Sequence, residues 1–114
     1  MRFKPKHKFG AIACERDNIK FPSKLERACY DRLKLLQKAG EIRMFLMQIP
    51  FRLPSGKHVV DFAVFTEFEV FFIEAKGRDL ALGRLKRQSV EAIYDVDIRV
   101  VKSAKEIDRV LFDG

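Results

Sequence analysis

Three residues in the middle of the chain carry charge where their neighbours do not suit it. Asp61 lies between Val60 and Phe62, Glu74 ends the apolar run Val70-Phe71-Phe72-Ile73, and Lys76 follows two positions on. Burying an unpaired carboxylate costs on the order of several kcal/mol or more, so two of them in apolar strands require a counter-charge, either a salt-bridge partner or a cation. Alternate residues of a strand share a face, so Glu74 and Lys76 project together, and pairing of the two strands sets Asp61 beside them. Carboxylate oxygens select a hard ion such as Mg²⁺ or Mn²⁺. Zinc is disfavoured, because His7 and His58 are the only histidines and no paired-cysteine spacing exists. The chemistry within reach is phosphodiester hydrolysis, in which the metal acidifies a water and neutralises phosphate charge while Lys76 orients that water or helps deprotonate it. The competing reading of the same three residues is a buried structural ion pair with one spare acid.

The elements that must position these groups follow from periodicity and punctuation. Ser23-Lys24-Leu25-Glu26 has the spacing of a capping box after Pro22, and Leu25, Cys29, Leu33 and Leu36 form one apolar stripe before Gly40, which predicts a helix between Ser23 and Gly40. Arg43 to Leu53 and Val59 to Phe65 read as strands of a hairpin around Pro54-Ser55-Gly56, and a turn at 66–68 leads into a third strand, Glu69 to Lys76, covered on both faces. Residues 79–94 read as a helix with Leu82, Leu85, Val90 and Ile93 as its apolar contacts. Ile98 to Val101 reads as a buried strand, and a second capping box, Ser103 to Glu106, opens a last helix carrying Ile107, Val110 and Leu111. The expectation is one α/β domain over residues 20–114, a central mixed β-sheet flanked by helices in the order αβββαβ, preceded by a basic N-terminal arm over residues 1–19.

Asp61 followed by Glu74-Ala75-Lys76 resembles the PD-(D/E)xK superfamily of metal-dependent nucleases, with Val60 where the pattern has its Pro. The helix start at Ser23 to Glu26, the segment Gln48-Ile49-Pro50, Val60-Asp61-Phe62 and Ile73 to Gly77 are similar to small phage endonucleases of the endonuclease I (Holliday-junction resolvase) type and to transposon-end endonucleases, over about residues 20 to 102. The resemblance implies a restriction-endonuclease-like fold. It implies that Asp61 and Glu74 are direct metal ligands joined by Glu26 and the Ala75 carbonyl, that Glu26, Asp61, Glu74 and Lys76 are catalytic, and that products carry 5′-phosphate and 3′-hydroxyl ends. It also implies a phage or mobile-element enzyme that acts as a homodimer on branched DNA. Cutting of linear duplex and a non-catalytic DNA-binding module on the same scaffold are the alternatives. Two site assignments have a plain structural rival: Glu26 can simply close its capping box, and Gln48 can either close a strand edge or contact the site through water.

Charge points the same way. The chain of 114 residues carries a formal net charge of +7, of which residues 1–24 hold +5 and residues 76–88 hold +4, leaving −2 for the rest. Concentrated positive charge favours polyanions, nucleic acid first among them. Lys4, Lys6 and Lys8 of the arm, and Arg78, Arg84, Lys86 and Arg87 after the Glu-Ala-Lys motif, are the candidate DNA contacts, with Lys86 favoured for phosphate; the rival reading is a solvated arm and an ordinary charged helix face. Two cysteines, Cys14 and Cys29, do not make a disulfide framework, no apolar run spans a bilayer, and a reducing cytoplasm is the expected setting. Eleven phenylalanines in so short a chain raise the prospect that an exposed remainder serves a homodimer interface.

Overall fold

A computed structural model describes residues 14–113. Its element order is β1 (Cys14–Arg16), β2 (Ile19–Phe21), α1 (Lys24–Lys38), β3 (Met44–Leu53), β4 (Gly56–Phe65), β5 (Val70–Ala75), α2 (Ala81–Tyr94), β6 (Ile98–Val101) and α3 (Lys105–Phe112). The helix, three strands, helix and strand expected from periodicity are all present in that order, with α3 closing the chain. The four-stranded sheet runs β3-β4-β5-β6; its first two pairings are antiparallel and β5 pairs with β6 in parallel, so the sheet is mixed.

One departure lies at the N-terminal end. Residues 14–19, assigned above to the basic arm, belong instead to a two-stranded hairpin that packs on α1 and buries Cys14 and Phe21. Its turn residues Asp17 and Asn18 both have positive φ (53° and 64°), as a two-residue type I′ connection requires. Lys4, Lys6 and Lys8 lie outside the described residues.

The sheet separates two apolar clusters. On one face α1 and α3 pack Cys29, Leu33, Leu36, Ile107 and Leu111 against Phe62, Val64, Ile73 and Val101, and Arg32 joins the helices through a two-bond ion pair to Asp108 (2.8 and 2.6 Å). On the other face α2 contributes Val90 to a smaller cluster with Leu53, Val60 and Ile98. Of the four apolar contacts expected for α2, only Val90 is buried. Leu82, Leu85 and Ile93 face outward, and Arg87 takes the inward position.

The long β3–β4 hairpin serves both clusters because its apolar face changes over midway. Phe45, Met47, Phe62 and Val64 belong to the α1 side, whereas Ile49, Phe51, Leu53 and Val60 belong to the α2 side. The changeover falls at Gln48, whose φ of 56° interrupts the ladder between the pairs Met47↔Phe62 and Ile49↔Val60. Gln48 therefore stands opposite Asp61, where the candidate site lies.

Candidate metal-binding and active site

Asp61 is placed where β4 and β5 part. Their ladder runs from Phe65↔Val70 to Phe62↔Ile73, and one further step would oppose Asp61 to Glu74. At that step the backbone ladder gives way to a side chain: Asp61 Oδ2 accepts the Ala75 amide at 2.8 Å. The carboxylate thus completes the sheet locally and is buried with it. Burial raises its pKa, and Glu74 raises it further, while the Ala75 amide, Lys76 and a Gln48 hydrogen bond oppose the rise.

Glu26 reaches the same place from the first turn of α1. Ser23 caps the helix by accepting from the Glu26 amide at 3.0 Å. The Glu26 side chain is turned to the site, where Oε2 accepts from Gln48 Nε2 at 3.0 Å. Its carboxyl is pushed up to about 7, by burial first and then by the Asp61 charge, against the lowering influence of Lys76. Glu26, Gln48, Asp61 and Lys76 therefore converge from α1, β3, β4 and the end of β5. Gln48 acts between two carboxylates, in a left-handed backbone conformation that costs a non-glycine residue about 1 kcal/mol or more.

Glu74 is fully buried and both of its oxygens have partners. His58 Nε2 lies 2.5 Å from Oε2, and Arg87 Nη1 donates to Oε1 at 3.3 Å. Arg87 extends the chain of contacts through Nη2 to Asp79 at 2.6 Å, which holds the Asp79 carboxyl below its ordinary value. Among the described residues no three His, Cys, Asp or Glu side chains are arranged as a ready set of metal ligands. The oxygen-rich donor set of Glu26, Asp61 and Glu74 nevertheless fits a hard divalent cation. Two of the three acids, Glu26 and Asp61, have raised pKa values, by burial first and then by neighbouring carboxylate charge.

Beside Lys76 a cleft of about 280 Å³ is lined by Lys76, Arg78, Asp79, Leu80, Leu82, Gly83 and Lys86. Arg78 and Lys86 are exposed in it; Arg84 is exposed too, with Nη1 donating to the Asp79 carbonyl at 2.5 Å. Arg87 departs from the reading as a DNA contact, being buried and shared between Glu74 and Asp79. A cavity of about 570 Å³ between the β1–β2 hairpin and α1 is lined by Arg16, Asp17, Asp31 and Lys34 and by none of these acids. Cys29 is plain core, its thiol pushed up to about 12 chiefly by burial.

His58 and Asp79 were not among the sequence candidates. His58 lies two residues before Val60 on the same strand face, but that face becomes the Glu74 side only through the changeover at Gln48, which no periodicity announces. Asp79 had a faint signal as an acid inside the basic segment after the motif.

A family model described as Protein of unknown function (DUF1064) matches residues 6–108. No curated protein and no solved structure matches the chain.

Proposed function

The chain belongs to the DUF1064 family, and we propose that it is a metal-dependent DNA endonuclease with a restriction-endonuclease-like core. The observation that carries the reading is the convergence of Glu26 and Asp61, two buried acids with raised pKa values, on Lys76 at the mouth of a cationic cleft. An ordinary structural ion pair matches one acid with one base; this cluster sets two acids, Glu26 and Asp61, against Lys76 and so holds an excess of carboxylate.

A cation of the Mg²⁺ or Mn²⁺ type would be held by Asp61 and Glu26, with Glu74 and the Ala75 carbonyl completing the set. When bound it lowers the pKa of a coordinated water and neutralises charge on the phosphate. Lys76 orients the attacking water and takes part in moving its proton. Arg78 and Lys86 hold the phosphates on either side of the scissile one. Water oxygen bonds to phosphorus as the bond to the 3′ oxygen breaks, leaving 5′-phosphate and 3′-hydroxyl ends. Branched DNA is the substrate favoured by the resemblance to junction-resolving endonucleases, and linear duplex is the alternative within the same chemistry. A homodimer would supply the two opposed nicks that a junction requires.

One observation favours a rival from another class. A Glu74 with both oxygens engaged suits a module that binds nucleic acid without cutting it. Cleavage of a labelled four-way junction and of its linear arms, with Mg²⁺, Mn²⁺ or EDTA, separates the readings. Metal-dependent paired cuts at the junction, lost in Lys76→Ala and Asp61→Asn, are expected. Equal cutting of the arms keeps the nuclease and removes the junction preference. Tight, salt-sensitive binding by a folded protein that never cuts leaves the binding module.

A further inference from the structure

Glu74 differs from the other two site acids in having a cationic partner of its own. Glu26 and Asp61 share one neutral amide, Gln48, and the nearby Lys76. Glu74 is 0% exposed and is gripped from two elements, by His58 of β4 and Arg87 of α2. Neither grip is incidental. His58 reaches Glu74 because the β3–β4 hairpin changes face at Gln48. Arg87 holds the inward position of α2, at which the neighbouring turns offer Leu82 and Leu85 to solvent. Asp79 anchors the other side of the guanidinium at 2.6 Å, which fixes the donor aimed at Glu74.

From this geometry we infer that His58 and Arg87 form a clamp on Glu74 that competes with the divalent cation, so that the pair sets how much metal the site requires. The inference rests on the nuclease reading above. Each clamped oxygen retains lone-pair capacity, so the clamp opposes the cation without excluding it. The opposition is electrostatic as well as geometric, because the buried Arg87 places a fixed positive charge on a ligand of the incoming ion. His58 and Arg87 are thus positioning residues. Arg87 also links the acid to Asp79 in the wall of the cationic cleft, so the metal requirement and the cleft share one buried chain of contacts.

The test is Mn²⁺ binding without nucleic acid, read by the electron paramagnetic resonance signal of free Mn²⁺ at one fixed pH and paired with melting temperatures. Arg87→Met removes charge and keeps volume; it is expected to tighten Mn²⁺ binding about tenfold or more. His58→Ala is expected to tighten it severalfold, and Arg87→Lys to stay near wild type. Metal-free Arg87→Met melts below wild type and gains more on adding Mn²⁺, since the cation replaces the missing counter-charge. A merely structural role lowers the melting temperature and leaves Mn²⁺ affinity alone. If Arg87→Met does not fold, His58→Ala decides. Binding by wild type that Asp61→Asn abolishes, with His58→Ala and Arg87→Met no tighter than wild type, overturns the clamp and leaves the nuclease reading standing. Failure of wild type and of every variant to take up Mn²⁺ overturns both, whereas uptake by Arg87→Met alone supports the clamp.

Discussion

The two faces of the sheet are built on different principles. The α1–α3 face is a hydrophobic core of ordinary kind: Leu33, Phe62, Ile73 and Ile107 are wholly buried, and Phe21, Tyr30, Phe45 and Phe62 follow one another with ring centroids 5.1, 5.7 and 6.2 Å apart. The α2 face is organised by charge. Its helix buries Val90 and Arg87, and it leaves Leu82 and Leu85 65% and 61% exposed. The contrast teaches that helix orientation follows the most demanding partner. Stripping Arg87 from a fully buried Glu74 would cost about 3–5 kcal/mol, comparable with what burying the two leucines would return at about 1.5–3 kcal/mol each. The larger hydrophobic core therefore lies on the α1–α3 face, and the α2 face combines a smaller one with the buried charges of the site.

The largest expected effect is on the hydrophobic face. Phe62→Ala should lose about 3–5 kcal/mol in urea unfolding, from lost transfer energy and the void left among α1, β4 and β5. A loss near 1 kcal/mol would mean that the two faces are less different than their burial implies.

That asymmetry was legible in the sequence only in part. The stripe of α1, its cap at Ser23 and the apolar run of β5 follow from local pattern, and the structure has them where the pattern places them. The orientation of α2 does not follow, because Leu82, Leu85, Val90 and Ile93 give a plausible inward face until Arg87 is known to have a buried acid to meet. The β1–β2 hairpin was missed because its strands are three residues long, although Asp17-Asn18 is the kind of pair that a tight turn favours. Within the site, Asp61 and Glu74 stood out as charge in apolar strands. Glu26 was reached by resemblance alone and Gln48 stayed open between two readings, because their convergence depends on the fold.

Next in size are the groups proposed to act in cleavage. Lys76→Ala and Asp61→Asn should each lower cleavage by about 10²- to 10³-fold while changing unfolding free energy by less than about 1 kcal/mol, since asparagine still offers Ala75 an acceptor. Stability measured beside initial rates sharpens the division: a site variant that costs as much stability as Phe62→Ala would place Asp61 in the core's service.

The acid of Glu26 gives a pH test of intermediate size. Its carboxyl is raised from 4.5 to about 7, so the folded protein holds this proton more tightly than the unfolded chain does. Stability from this group is fully present below about 4.5 and declines as pH rises to about 7, by about 3 kcal/mol at 1.36 kcal/mol per unit. Metal-free wild type should therefore lose ground to Glu26→Gln across that window and run parallel to it above. The raised Asp61 acts in the same direction, whereas Asp79 and Asp108, both lowered, act oppositely and only below about pH 4. Saturating Mn²⁺ should flatten the wild-type decline by favouring the ionised carboxyl. A wild type that runs parallel to Glu26→Gln from pH 4.5 to 7, and loses ground to it only as pH falls below about 4.5, would show that Glu26 is held ionised, with Lys76 dominating over burial.

The smallest expected effect is the most informative about the outward face of α2. With Leu82 and Leu85 mostly solvated, Leu82→Ala and Leu85→Ala should each change stability by less than about 0.5 kcal/mol at sub-micromolar protein. If two copies pair through this stripe, the same substitutions should cost progressively more as protein concentration rises, because association stabilises the folded state by mass action. The exposed phenylalanines contribute less to such a surface than the composition suggested: Phe68, 88% exposed, and Phe112 stand out, while the helix supplies leucine and isoleucine. Mass by light scattering across the same concentrations distinguishes the cases. A monomer throughout, with concentration-independent costs, leaves the stripe to the cleft that Leu80 and Leu82 already line beside Lys76 and Lys86. There an unstacked base is the apolar group a nucleic acid can offer, and loss of cutting on branched but not linear DNA in Leu82→Ala would be its mark.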